Sequence, residues 1–237
     1  MFQKNPHLVS GAEVVDSNWR LLYKSGSVAA VIMVAIILMQ FIIFITWPPP
    51  LDGSVLEWYE LFQNNWLLGI LSFEFLMIVY NVLALLMILS FFVILRKINQ
   101  PLTSIFLITS LLGIIAFIVA RPVFEMLYLS NQYAVATTEI QKNMILAAGE
   151  GMLAIFNGTT FYISYILGSI SGLLISVVML KSHIFSKTTA YLRIGSSILD
   201  FGLFIPTIGL YISMFSVVFL LIWNIMIARR LIQLSRL

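Results

Sequence analysis

The stretch Arg121–Tyr165, RPVFEMLYLSNQYAVATTEIQKNMILAAGEGMLAIFNGTTFYISY, is the one long interruption in a series of apolar blocks, and it carries acidic groups. Within it, Thr138-x-x-Gln141 has the form of a capping box and Asn157-Gly158 supplies a helix stop, bracketing a helix of about 18 residues. Ile140, Met144, Ala148, Gly151 and Ile155 fall on one face of that helix, with Glu139, Lys142, Asn143 and Glu150 elsewhere. Such a helix lies on the bilayer, or on other helices, rather than crossing.

On either side of this stretch the chain is apolar for long runs. It is 61% hydrophobic and 10% charged, whereas soluble domains run at about 25% charged. Spans long enough to cross a bilayer core of about 30 Å recur at about 28–47, 70–95, 102–121, 161–180, 189–208 and 210–228. The fold class expected is therefore all-α: one polytopic membrane bundle, residues 1–237, of six transmembrane helices, with an extracytoplasmic amphipathic excursion, 122–160, between spans three and four. Continuous apolar blocks exclude a transmembrane barrel, which would alternate with period two.

Trp47 and the triplet Pro48-Pro49-Pro50 close the first span. Residues 1–26 are polar, and Ser17-Asn18-Trp19-Arg20 suggests a short interfacial helix entering the membrane. Residues 51–66 mix Glu57 and Glu60 with Trp58, Tyr59, Phe62 and Trp66, as an amphipathic helix on the far surface would. Pro101 opens the third span, where the first turn needs no amide donor.

Charge sets the orientation. With both termini cytoplasmic, the inner side takes Lys4, Arg20, Lys24, Arg96, Lys97, Lys181, Lys187, Arg193, Arg229, Arg230 and Arg236, which is 11 of the 13 basic residues; only Arg121 and Lys142 lie opposite. The positive-inside rule favours that arrangement. The basic residues mark span ends singly or in pairs, so the net charge of +3 does not describe a nucleic-acid surface.

Candidate sites follow from polar groups at membrane depth. Asp200, expected inside the fifth span, costs about 2.5–3.5 kcal/mol on insertion scales and needs a partner or a wet cavity. It reads as a structural hydrogen-bonded carboxyl, a proton-coupling carboxylate, or a contact for a cationic or polar ligand. Asn81, well inside the second span, is a candidate neighbour or an interhelical hydrogen-bonding group. Glu74, Arg121, Glu125 and Glu150 form a second constellation near the outer boundary, in which Arg121 and Glu125, four apart, pair if the helix runs through Pro122. Ser164, Gly168, Gly172 and Ser176, spaced by four, make a small-residue ridge for close helix approach, inside the bundle or against a membrane-protein partner or homodimer.

Enzyme chemistry finds little footing. The histidines, His7 and His183, lie at the cytoplasmic ends, there is no cysteine, and no Walker or dinucleotide loop is present. No metal site and no cofactor are expected. Three spans on each side of the excursion would permit an inverted repeat, although the halves share no evident sequence match.

The run LSNQYAVATTEIQKNMILAAGEGMLAIFNGTTFYISYILGSISGLLISVVMLKSHIFSKTTAY and the ending SVVFLLIWNIMIARRLIQL resemble a family of bacterial six-span membrane proteins known only as a domain of unknown function. The resemblance covers roughly residues 70–236 and rests on overall pattern rather than a catalytic motif. It implies a bacterial cytoplasmic (inner) membrane protein and carries no site residues. Together these readings predict a non-enzymatic protein of the lipid bilayer that handles or senses a small solute, proton or lipid. The alternative is a structural or regulatory subunit docking a partner through the ridge of span four.

Overall fold

The structure, a computed structural model, describes residues 17–51 and 53–237; Lys4, His7 and the rest of the expected cytoplasmic segment up to residue 16 lie outside the described residues, as does Asp52. The described residues are helical, with no strand. In chain order the helices are α1 (Arg20–Thr46), α2 (Val55–Asn64), α3 (Trp66–Ser72), α4 (Phe75–Leu95), α5 (Gln100–Val119), α6 (Val123–Val135), α7 (Glu139–Phe156), α8 (Thr159–Lys181), α9 (Lys187–Asp200) and α10 (Gly209–Leu234). Five stretches are long and apolar enough to cross a membrane: 20–46, 75–95, 100–135, 139–181 and 211–234. The interfacial helix expected at Ser17–Arg20 is instead one 3-10 turn that runs straight into α1.

The stretch 189–208, expected as a fifth span, behaves differently. Helix α9 has 14 residues, about 21 Å of rise. A 3-10 turn, Phe201–Phe204, follows, and then a bend in which Thr207 has φ 72°. Gly209 lies so close to the Gly202 and Leu203 carbonyls that a Cβ there would stand 2.5 Å from the former. The glycine lets the chain reverse tightly from α9 into α10.

By its internal contacts the chain divides into two compact units, residues 1–34, 83–112 and 166–237 in one and 35–82 with 113–165 in the other. In the first, α9 and α10 form an antiparallel hairpin. Arg230 Nε donates to the Ile184 carbonyl at 2.5 Å, so the end of α10 meets the loop before α9. Arg20 Nη2 donates to the Leu237 carbonyl at 2.6 Å, and Ser27 Oγ to the Ala228 carbonyl at 2.7 Å. The start of α1 and the end of the chain therefore share one end of this unit. Serines hold its interior: Ser110 and Ser171 share a hydrogen bond of 2.5 Å, and Ser90 donates to Leu86 and Leu22 carbonyls. Close approach of small polar residues is how helices associate where apolar burial gives no preference over lipid.

The second unit has an aromatic core. Helix α2 opens with a capping box, Ser54 with Glu57, and buries Val55, Trp58, Tyr59 and Phe62. Those side chains pack with Phe73, Val123, Met126 and Phe156; Trp58 meets Phe73 edge-on at 4.9 Å. The amphipathic face of α2 is thus spent on protein. Helix α7 begins after Thr138, whose side chain and Gln141 make the reciprocal cap, and ends at Asn157. Its Ile140 and Met144 are exposed, while Gly149 and Phe156 face inward. A Cβ on Gly149 would collide with Val55 and the Tyr59 hydroxyl, so these α2 side chains rest directly on the α7 backbone there.

Tyr59 Oη donates to the Ile145 carbonyl at 2.9 Å, and burial, with the charge of Glu150, pushes its phenol up to about 12 from 10.0. A phenol harder to ionise in the folded chain contributes stability below pH about 10 that is lost as pH rises through about 12. Tyr59→Phe is expected to melt earlier at neutral pH, by roughly 1 kcal/mol for the lost hydrogen bond, and to narrow its gap to wild type between pH 10 and 12. Melting curves in mild detergent across that range, with a gap that stays constant or widens, would refute this linkage.

Candidate functional site

The second unit is pinned at Arg121. The apolar run 70–95 is not one helix: α3 ends at Ser72 and α4 begins at Phe75, with Glu74 between them at φ 64°. That left-handed conformation costs a non-glycine residue about 1–2 kcal/mol. It coincides with a 2.6 Å ion pair between Glu74 Oε2 and Arg121 Nε, the arginine side chain only 1% exposed. Arg121 occupies the break between α5 and α6 that Pro122 enforces. Its Nη1 donates to the Ala120 carbonyl at 3.1 Å, just past the end of α5, and to the Phe156 carbonyl at 3.2 Å, on the last residue of α7. Phe117, Phe156 and Phe161 surround the guanidinium with centroids 4.3–4.5 Å from Cζ. Cation–π contacts of this kind contribute about 2 kcal/mol when desolvated.

The expected pairing of Arg121 with Glu125 is therefore corrected. Because the helix stops at Arg121-Pro122, the i,i+4 relation never forms, and Arg121 pairs with Glu74, 47 residues away. Glu125 is exposed and lines a groove of about 460 Å³ with Phe124, Tyr128 and Met152. Glu150 is exposed on α7, where its charge acts on Tyr59. Asn81 Nδ2 donates to the Met77 carbonyl at 2.8 Å, on its own helix rather than a neighbouring one.

Asp200 belongs to the first unit. It is the last residue of α9, not the middle of a continuous span, and is half-buried. Its Oδ1 accepts a hydrogen bond from Ser216 Oγ on α10. Arg193, two turns earlier, reaches it by charge. That arginine was counted with the cations of the inner surface, yet it lies within the hairpin: its guanidinium is 5.4 Å from the Trp223 ring, Nη1 donates to Ser196 Oγ at 3.3 Å, and Nη2 donates to the Gly168 carbonyl at 3.4 Å. Gly172 makes room for this, since a Cβ there would meet Ser197 Oγ and stand 2.7 Å from Arg193 Nε.

The ridge is thus used within the chain at Gly172, by α9. Ser176 and Ser164 close onto their own helix, donating to the Gly172 and Phe161 carbonyls. Farther along α10, Asn224 is fully buried and neither end of its amide has a hydrogen-bond partner among the described residues; the same holds for Ser197 Oγ and Trp223 Nε1. Such groups are satisfied in most interiors by water or a polar ligand. Neither Arg193 nor Asn224 was singled out in the sequence. Gly172, seen as a ridge residue, was the available signal that something bulky docks there.

Among the described residues no group of three histidine, aspartate or glutamate side chains could hold a metal ion. No family model matches the chain, and neither a curated protein nor a solved structure matches it.

Arg121→Leu is expected to destabilise the protein by about 3–5 kcal/mol, because it leaves the Glu74 carboxylate with neither its ion pair nor full solvation. Glu74→Gln in the same chain should recover part of that loss. Detergent melting of the two single variants and the double variant reads the coupling; additive losses would mean the pair does not act as a unit.

Proposed function

We propose that the chain is a six-pass protein of the bacterial inner membrane, both ends cytoplasmic, that handles protons through Asp200 and the hydroxyl groups around it. The observation that carries this reading is the Asp200–Ser216 hydrogen bond across the α9–α10 hairpin. Asp200 is the only acid among the described residues of its unit, and ionisable groups retained among membrane helices mark proton and ion paths. The unsatisfied Ser197 side chain, three residues before Asp200 on α9, supports a hydrated interior beside it.

Six passes agree with the geometry of the ends. The Arg20–Leu237 hydrogen bond brings both ends of the described chain together, which favours an even number of crossings. Helix α9 and its 3-10 extension provide the sixth, about 21 Å and about 8 Å of rise against a core of about 30 Å. The segment 205–208, exposed and irregular, then belongs at the outer surface, since lipid-exposed irregular backbone does not occur in the hydrocarbon. The excursion 122–160, which follows three crossings, is then extracytoplasmic, and the resemblance of residues 70–236 to a six-span bacterial family agrees with six passes.

The chain has no cysteine, so an introduced one reports alone. In intact cells a membrane-impermeant maleimide is expected to label Gln132→Cys and Thr207→Cys, and Arg236→Cys only after permeabilisation. Labelling of Thr207→Cys on the same side as Arg236→Cys would remove the sixth crossing. For the chemistry, wild-type protein in liposomes loaded with a pH-sensitive dye should admit protons under an imposed potential, and Asp200→Asn should fall to the protein-free rate. Equal proton flux through both, or none through wild type, would sink the proton reading.

A further inference from the structure

The first unit has a second feature, a pocket of about 460 Å³ at its basic end, bounded by His183, Ile184, Phe185, Met226, Arg229 and Arg230. Two cations and a histidine share its wall with three apolar side chains, and no acidic residue lines it. Nor is there an acid nearby in sequence: Asp200 is the only one among the described residues of this unit. Among the described residues, therefore, no acidic side chain stands against the positive charge at this end, while each of the other strongly placed arginines has a partner of its own, Arg121 with Glu74 and Arg193 within reach of Asp200.

Arg230 is also held in place. Its Nε donates to the Ile184 carbonyl and its Nη1 to Gln233 Oε1 at 3.2 Å, so the guanidinium is fixed across the mouth of the loop between α8 and α9. A guanidinium ordered in advance loses less entropy when it binds an oxyanion, and its planar fork suits phosphate. Arg229 and His183 are exposed on the same wall. The apolar part of the lining, Ile184, Phe185 and Met226, would be wasted on a free inorganic ion but suits the glycerol and acyl root of a lipid.

We propose that this pocket binds the phosphate of an anionic phospholipid headgroup on the cytoplasmic face. Basic pockets between membrane helices on that side take such headgroups. The inference shares no residue with the proton path; it rests on the membrane placement above, which the maleimide labelling tests separately.

The test is the melting temperature of the full chain in mild detergent, at constant ionic strength, with phosphatidylglycerol, phosphatidylcholine or inorganic phosphate added. Phosphatidylglycerol is expected to raise the midpoint by about 4 °C over phosphatidylcholine, as ligation of the folded state alone would. Arg229→Gln with His183→Gln, both exposed positions, should abolish that shift, and Lys97→Gln, outside the pocket, should keep it. An equal shift with inorganic phosphate, lost in the same double variant, would overturn the lipid assignment in favour of soluble phosphate. No shift with either, or a shift that survives Arg229→Gln with His183→Gln, would overturn the site itself.

Discussion

A buried guanidinium organises the second unit. Arg121 stands where two helices break and a third ends, and those breaks leave carbonyl groups without the amide partners that a continuing helix would supply. In a medium without water such groups must be satisfied by protein. One side chain answers two of them: it donates to the Ala120 and Phe156 carbonyls, and it also pairs with Glu74 while three phenyl rings replace its hydration shell. The balance depends on all partners being present. A desolvated arginine with fewer of them would cost more than its attraction returns, so Glu74 is drawn into a left-handed conformation to reach it. The kink between α3 and α4 is the backbone's side of the same bargain.

The first unit is built on the opposite principle. Its contacts are small and numerous: the shared hydrogen bond of Ser110 and Ser171, the Ser27 hydroxyl on a carbonyl of α10, and Gly172 admitting Arg193 and Ser197. Hydroxyl and glycine surfaces permit close helix approach at modest energy per contact, about 0.6 kcal/mol on average for a membrane hydrogen bond. Asn224, Trp223 and Ser197, buried without a partner among the described residues, are groups of the kind that water satisfies between such helices.

How much of this was legible differs by the kind of signal. Helix α7 could be read to its ends because Thr138, Gln141 and Asn157 act locally, through hydrogen bonds within one turn. The class of the chain was equally plain from its apolar runs. The Glu74 break was invisible, since residues 70–95 contain neither proline nor glycine and the cause lies at Arg121, 47 residues downstream. The Arg121–Glu125 spacing suggested a pair for the same reason it fails: four-residue spacing has meaning only inside a helix, and Pro122 ends that helix. Arg193 was hidden by counting, because a charge near a span end looks like a topological marker until its neighbour Gly172 shows that it is packed.

Asp200 brings these strands together. A carboxylate at the C-terminal residue of a helix opposes the macrodipole, whose negative end lies there, and ordinarily loses about 0.3–1 kcal/mol by it. Asparagine in its place could accept the same hydrogen bond from Ser216 without that penalty, and would relieve the cost of an ionisable group in a short helix of the hairpin. If stability alone had shaped the position, the neutral amide would serve it better. What the carboxylate has and the amide lacks is a proton to exchange. Ser216 in contact with the carboxylate across the hairpin and Arg193 two turns before it on the same helix give that acid polar partners which packing alone does not require.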